Sequence, residues 1–466
     1  MYALSFPGRG AAEIFLPLKH DQVAPPAFIL YSWITITQVS TNEFALRFLS
    51  MVSGIGAFLA FAALARRYLG AWESLIAVAV MAVSYYTVRH GAEFKPYALD
   101  LLVSVLILAL SLRLRDNPST ANRVLFSCLI PAAVLFSYPS LFMSAASLSV
   151  LSLDTIRRRE WGGVAFLVTT GAATLVVFLL VYWFIIAPHS ASNSDLFDIW
   201  RTGFPPGGLL PNIAWLLEQS SGRMFAYPIG GKPYASILTF GLFLLGIVLL
   251  IRRRRRFLLT LLLLPFGFHL LASFLGVYPY GVSQRISQHL APSIYLLMAV
   301  GVAGSRFGTS DAGHPKPIVL ALLVICLLLG LGGITRTVYK PYKTEGVLQV
   351  RQFVEALIEI YRCNPVNVVN PESTTPVNFL WYLKTSGRAR FDVAPVTLPD
   401  STANPLCVVM FDPTRYPERK TTLDYTLDRL REFRTTVDED LRTAYIYGGD
   451  RHPHYFRYHV LERKHP

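Results

Sequence analysis

Polar and apolar residues in this chain separate into long blocks rather than alternating, and the apolar blocks set the architecture. Ten of them run near residues 44–64, 72–88, 95–112, 123–137, 139–154, 163–187, 235–251, 257–275, 289–304 and 317–335. A helix crosses a hydrocarbon layer with roughly 20 mostly apolar residues, so each block predicts a spanning helix, two of them short. After Arg336 the apolar runs stop, and roughly 125 residues of mixed charge follow, enough for one small domain. That tail opens with Val347, Val350, Val354, Leu357, Ile358 and Tyr361 at helical spacing. Short apolar runs at 366–369 and 406–411 predict buried strands, with an amphipathic helix over 421–433 and further strands near 443–447 and 455–461. The expected fold is mainly α. It is a polytopic membrane bundle of about ten spanning helices, with a small C-terminal soluble α/β domain. Residues 1–43 are expected to form an external first loop, 44–336 the transmembrane domain and 337–466 the external soluble domain.

Composition agrees: 53% hydrophobic residues, 15% charged residues and a mean hydropathy of +0.43 describe a lipid-embedded body and exclude an ordinary soluble domain. The basic residues orient it. They fall in every second loop, at Arg66 and Arg67, at Arg113, Arg115 and Arg123, at Arg157 to Arg159, at Arg252 to Arg256, and at Arg306 and Lys316. Those loops are expected in the cytoplasm. The alternate loops, near 89–95, 137–140, 189–232 and 277–288, then lie outside with both termini. A net charge of +14 would suit a nucleic-acid partner, but much of it sits in the cytoplasmic loops, where topology and anionic lipid explain it. No base-stacking aromatics are interleaved with the run at 252–256, so no nucleic acid is expected.

The first 25 residues are polar, with Arg9, Glu13, Lys19, His20 and Asp21, and are assigned to the outside. An upstream spanning segment is the simpler account of how they arrive there, so Met1 is not expected to be the natural start. The apolar stretch over 23–39 opens on Pro25 and Pro26 and is only about 16 residues long, short of a span. It reads as a helix lying in the interface, with Tyr31 and Trp33 at headgroup depth. Cys128 and Cys326 lie in apolar blocks and read as packing. Cys363 and Cys407 each stand beside a predicted strand, which leaves two readings open, a disulfide in an oxidising compartment or two free thiols. No Cys or His spacing suits a metal, so no cofactor is expected, with a divalent ion left open.

Between the second and third blocks lies Glu93-Phe94-Lys95-Pro96-Tyr97-Ala98-Leu99-Asp100, a charged cluster at a membrane boundary. Charge in such a place marks chemistry more often than packing. Pro96 is suited to open a helix, which puts Glu93 in the loop and Asp100 in the first turns. Helical throughout, the segment would place Glu93 and Asp100 seven apart on one face, with Tyr97 between them and Lys95 slightly around the axis. The loop over 189–234 contains Trp200, whose plainer reading is aromatic packing against the membrane surface.

These residues carry a resemblance. Asp21-Gln-Val-Ala-Pro-Pro26, Asn42-Glu-Phe-Ala-Leu-Arg47, Ala65-Arg66-Arg67, the 93–100 motif, and Tyr278-Pro279 followed by Arg285 together resemble the GT-C superfamily of polyprenyl-phosphate-sugar-dependent glycosyltransferases. The similarity runs from residue 1 to about 300 and is nearest the bacterial branch akin to protein mannosyltransferases and lipid A aminoarabinose transferases. It implies a membrane enzyme of the cell envelope that moves a sugar from a polyprenyl-phosphate donor to an external protein, lipid or glycan acceptor, with inversion by analogy. It also implies a place in the plasma, or inner, membrane. In that family an acidic residue just after the first spanning helix is thought to be the base, and this sequence starts downstream of that point.

The chemistry suits the residue types. A carboxylate that takes the acceptor's proton assists attack at the anomeric carbon. The leaving lipid phosphate needs cations and hydrogen-bond donors to offset its charge. Glu93, Asp100 and Asp21 are the expected catalytic carboxylates. Lys95, Tyr97, Arg285, His20, Tyr280 and Trp200 are expected to bind substrate, with Arg285 matching the family's late arginine. Two other classes compete: a transporter of lipid-linked saccharide, which would show paired broken helices in related halves, and a non-catalytic relative that assembles with partners.

Overall fold

The computed structural model describes residues 5–6, 9–18, 22–191, 200–304, 317–339, 344–359, 366–369, 381–382, 391–393, 406–411, 433–447 and 450–463. The chain divides into two compact units, Gly8–Thr335 and Arg336–Pro466 with Met1–Pro7. The larger unit is helical. Its elements are α1 (Pro26–Ile34), α2 (Glu43–Tyr68), α3 (Ala71–Ala82), α4 (Tyr85–Gly91), α5 (Tyr97–Asp116), α6 (Thr120–Phe136), α7 (Ser140–Arg157) and α8 (Trp161–Val181). They are followed by α9 (Ala187–Ala191), α10 (Leu209–Gln219), α11 (Ile237–Arg252), α12 (Arg256–Phe274), α13 (Ala291–Ala303) and α14 (Pro317–Tyr339).

Every apolar block of the sequence is helical, with one break. The block at 72–88 divides at Val83 and Ser84 into α3 and α4, which meet at a 58° bend. Ser84 leaves helical geometry with ψ 105, its hydroxyl donates back to the Val80 carbonyl at 2.7 Å, and the Tyr85 N–H donates to the Pro228 carbonyl at 3.2 Å. A serine that bonds locally and a carbonyl from another loop together satisfy the groups that the break sets free.

Among the described residues, four helices are long and apolar enough to cross a bilayer: α2, α5, α8 continued through His189, and α12. The bent pair α3–α4 makes a fifth, and four apolar helices are shorter, at 10–17 residues. Every residue of α13 is buried, so that helix faces side chains of its neighbours rather than lipid.

The expected interfacial segment is α1 continued by a π-helical turn over Thr35–Val39. Its aromatic residues have protein partners. The Tyr31 hydroxyl donates to the Ala45 carbonyl and accepts from the Leu49 N–H at 3.2 Å, while Trp33 Nε1 donates to the Arg9 carbonyl at 3.0 Å. The segment is therefore a prop against the start of α2. Asn42 caps α2 by accepting from the Phe44 N–H at 2.8 Å, the role its sequence position suggests.

In the second unit α15 (Thr344–Glu359) precedes five strands, β1 (Val366–Val369), β2 (Phe391–Val393), β3 (Leu406–Phe411), β4 (Phe433–Tyr447) and β5 (Asp450–Arg463). They form one sheet in the order β2-β1-β3-β5-β4. Strand β1 runs parallel to β3 with Val366 opposite Cys407, and β3 runs antiparallel to β5 with Val409 opposite Tyr458. Of the expected helix over 421–433 only Phe433 is described, and it opens β4 instead; residues 421–432 and Cys363, one half of the suggested disulfide, lie outside the described residues. Cys128 is exposed and Cys326 buried, both as free thiols.

Helices α11 and α13 approach through glycine. A Cβ on Gly246 would overlap the Leu297 carbonyl, and one on Gly301 would overlap the Leu242 carbonyl, so the two backbones touch where side chains would hold them apart. Gly301→Val is expected to lower the thermal midpoint of the purified chain, with a cost of about 1–3 kcal/mol from overpacking, whereas Gly241→Ala, at open space on the same helix as Gly246, leaves it near wild type. Fluorescence-detected size exclusion after heating reads both.

Candidate active site

The turn between α4 and α5 gathers the charged motif. Pro96 is the N-cap of α5, which begins at Tyr97, so the helix starts where the proline predicts and Glu93 stands outside it. Glu93 and Asp100 therefore do not share a helix face. Glu93 instead reaches back along α4, where its Oε1 accepts from Arg89 Nε at 2.6 Å, and His90 Nδ1 stands 3.6 Å from its Oε2. Burial alone would raise the Glu93 pKa, but the neighbouring His90 and the Arg89 cation outweigh it and hold the group at about 2.

Lys95 turns toward the first loop, where its Nζ donates to Gln22 Oε1 at 2.9 Å, and its carbonyl accepts from Ser50 Oγ at 2.8 Å. The lysine thus ties the motif to the residue beside Asp21. His20 and Asp21 themselves lie outside the described residues, as do Lys19, Asp195 and Asp198.

Tyr97, at the start of α5, packs edge-on against the His90 ring with centroids 5.1 Å apart. Arg285 comes from the distant loop before α13 to the Tyr97 hydroxyl. Its Nε donates to Ser283 Oγ at 3.2 Å, and its guanidinium carbon lies 5.2 Å from the centre of the Trp200 ring. One group of contacts therefore joins Glu93, Tyr97, Arg285 and Trp200, all named from the sequence. Trp200 is turned to the arginine, a cation–π contact that fixes the guanidinium plane.

Asp100 lies one turn into α5 and is 5% exposed. Ser137, at the end of α6, is its polar neighbour, and its Oδ1 has no hydrogen-bond partner among the described groups. An apolar helix holds a carboxylate in this way only beside a polar space or a ligand. Tyr278 is the next polar group. Its hydroxyl donates to the Ile286 carbonyl at 3.1 Å, and burial, with the Asp100 charge second, pushes its pKa well up, so it stays a neutral donor.

Tyr280 takes another path. It is buried against Trp215 and His269, with ring centroids 5.7 and 5.0 Å away, and burial raises its pKa too. It forms part of the wall behind the loop that presents Arg285. Sequence reasoning missed Arg89 and His90, which grip Glu93, and the buried pair His269 and His289, whose rings stand 5.0 Å apart beside Phe142. The i, i+4 spacing of Arg89 and Glu93 was the available signal for the first two. Gly231 also approaches the site wall. With φ +99 it lies against the Tyr86 hydroxyl, where a side chain would be strained and would collide. Among the described residues no group of three or more His, Cys, Asp or Glu could hold a metal ion.

A depressed carboxylate pKa contributes stability above the unfolded value, and that contribution is lost as the pH falls through the folded one. For Glu93 the window runs from 4.5 down to about 2. Glu93→Gln is expected to lower the thermal midpoint at pH 7, and the gap from wild type should narrow steadily below pH 4.5. Thermal unfolding in detergent across that range measures it.

Residues 23–183 match the family model described as dolichyl-phosphate-mannose-protein mannosyltransferase. The crystal structure of ArnT from Cupriavidus metallidurans bound to undecaprenyl phosphate shares the fold, with a TM-score of 0.55 and 12% identity over 96% of this chain and 91% of that one. The apo structure of the same ArnT gives 0.54 and 12% over 95% and 90%. No curated protein matches the chain significantly in sequence. The chain thus resembles the mannosyltransferase family over its first membrane helices and shares the ArnT fold along nearly its whole length.

Proposed function

We propose that the protein transfers a sugar from a polyprenyl-phosphate donor to an acceptor on the outer face of the plasma membrane, with inversion at the anomeric carbon. The observation that carries this reading is the Arg285 cluster. A guanidinium laid on Trp200 and beside the Tyr97 hydroxyl sits at the mouth of an apolar helix that buries the carboxylate of Asp100 one turn further in. Cation and carboxylate are the two groups that a phosphate-leaving transfer requires. The ArnT with this fold binds undecaprenyl phosphate, which supports the donor class.

In this reading Arg285 and Tyr97 receive the donor phosphate, and Lys95 holds the first loop against it. The acceptor oxygen attacks the anomeric carbon from the face opposite the phosphate. The bond from that carbon to the phosphate oxygen breaks, its electron pair stays on the phosphate, and the acceptor proton passes to a carboxylate. Glu93 is a poor proton acceptor with its pKa near 2, so it orients Arg89 and His90. Asp100, with its unpartnered Oδ1, and Asp21 are the carboxylates that we assign to the proton.

The ten helices of the sequence reading form the membrane body, with their arginine-rich loops in the cytoplasm and the C-terminal unit outside. Acceptor and sugar follow from the family's range: protein, lipid or glycan, and a hexose or pentose.

The test is sugar transfer from a radiolabelled polyprenyl-phosphate sugar in proteoliposomes. Arg285→Ala is expected to lower kcat/KM by about a hundred- to a thousandfold. Asp100→Asn or Asp21→Asn should lower kcat by about a hundredfold or more, with insertion intact in each. Full activity in all three variants overturns the assignment, and no transfer by the wild-type chain from any polyprenyl-phosphate sugar would favour a non-catalytic membrane partner.

A further inference from the structure

The far end of the same helices holds a second charged site. Where α5 and α7 end and α6 and α8 begin, a shallow cleft is lined by Arg115, Arg123, Arg158, Asp154 and Glu160 over an apolar floor that includes Phe166. It lies roughly 15 residues along α5 from Asp100, which at 1.5 Å per residue is about 22 Å.

Asp154 serves two arginines through one oxygen. Arg158 Nη2 lies 2.8 Å from its Oδ2, and Arg115 Nε forms a looser ion pair with the same atom at 3.5 Å. The Arg115 Nε is buried without a hydrogen-bond partner. Its guanidinium carbon sits 4.0 Å from the centre of the Phe257 ring, which holds the plane in place. Arg123 leans on Phe166 at 6.0 Å, and among the described residues no carboxylate pairs with it. Three arginines against two carboxylates leave one positive charge in the cleft. A buried donor without a partner, a fixed guanidinium plane and a single surplus charge together fit a singly charged phosphate diester.

We infer that this cleft binds the phosphodiester headgroup of an anionic membrane lipid, in the leaflet opposite the candidate active site. The lipid phosphate takes the Arg115 and Arg123 guanidinium donors, and its glycerol rests on the apolar floor between α6 and α8. Clefts of this kind between the ends of membrane helices suit lipid recognition better than a soluble anion, because the acyl chains stay in the bilayer while the charge is met.

The full chain is reconstituted in nanodiscs of phosphatidylcholine with one tenth phosphatidylglycerol, extracted in mild detergent, and its retained lipid is counted by native mass spectrometry. Wild type is expected to keep one phosphatidylglycerol in preference to phosphatidylcholine. Arg115→Gln and Arg123→Gln should each cut that retention about tenfold, the scale of one lost charged hydrogen bond, while Arg67→Gln, outside the cleft, leaves it unchanged. Equal retention of the two lipids by wild type overturns the inference, as does unchanged retention in both cleft variants. Displacement of the lipid by millimolar inorganic phosphate would identify a free-phosphate site instead and also overturns it. The comparison of lipids on the wild-type chain stands even where a variant fails to fold.

Discussion

The structure turns on the cost of keeping the Asp100 carboxylate inside an apolar helix. A charge there is tolerated only when polar groups or a wet space meet it, and the polar residues around it follow from that demand. Ser137 closes α6 beside it, Tyr278 brings a neutral hydroxyl from the loop before α13, and Tyr97 starts the helix one turn away. Arg285 then finds Tyr97, and Trp200 covers Arg285. The charged motif is a single polar seam where the ends of several helices meet, and the proposed transfer is placed in that seam.

Helix α5 links the two charged regions of the membrane body. Its first turns carry Tyr97 and Asp100, and its last carry Arg113 and Arg115. A helix of 20 residues is about 30 Å long, the thickness of a bilayer. The basic end suits the helix dipole and a cytoplasmic position, and the two ends are chemically distinct. One gathers a carboxylate with a cation and aromatics, whereas the other gathers arginines around one shared carboxylate. The glycine contact between α11 and α13 holds the buried helix behind them, so the loop carrying Arg285 rests on a fixed backbone.

Much of this was legible in the sequence because hydrophobic blocks report helices directly. All ten blocks are helical, and Pro96 marks the start of α5. What periodicity cannot report is which distant side chains meet. The break at Val83 and Ser84 was hidden because the block stays apolar through it, and only a carbonyl from the loop at Pro228 reveals why it forms. Pro96 already puts Glu93 in the loop, but only the folded turn shows that it reaches back to Arg89. Arg285 and Trp200 were each singled out without their mutual contact, and Tyr280 went to the aromatic wall, because those outcomes depend on loops folding against one another. The buried His269 and His289 left no signal beyond their presence in apolar surroundings.

The central claim is that the donor's phosphate is met at the Arg285 cluster. The most direct measurement is a cryo-electron microscopy structure of the full chain in nanodiscs with undecaprenyl phosphate. The account predicts phosphate density within hydrogen-bond distance of the Arg285 guanidinium, next to Trp200 and the Tyr97 hydroxyl. Lipid phosphate bound elsewhere in the membrane body, with Arg285 still held between Ser283 and Trp200 and touching no ligand, would contradict it.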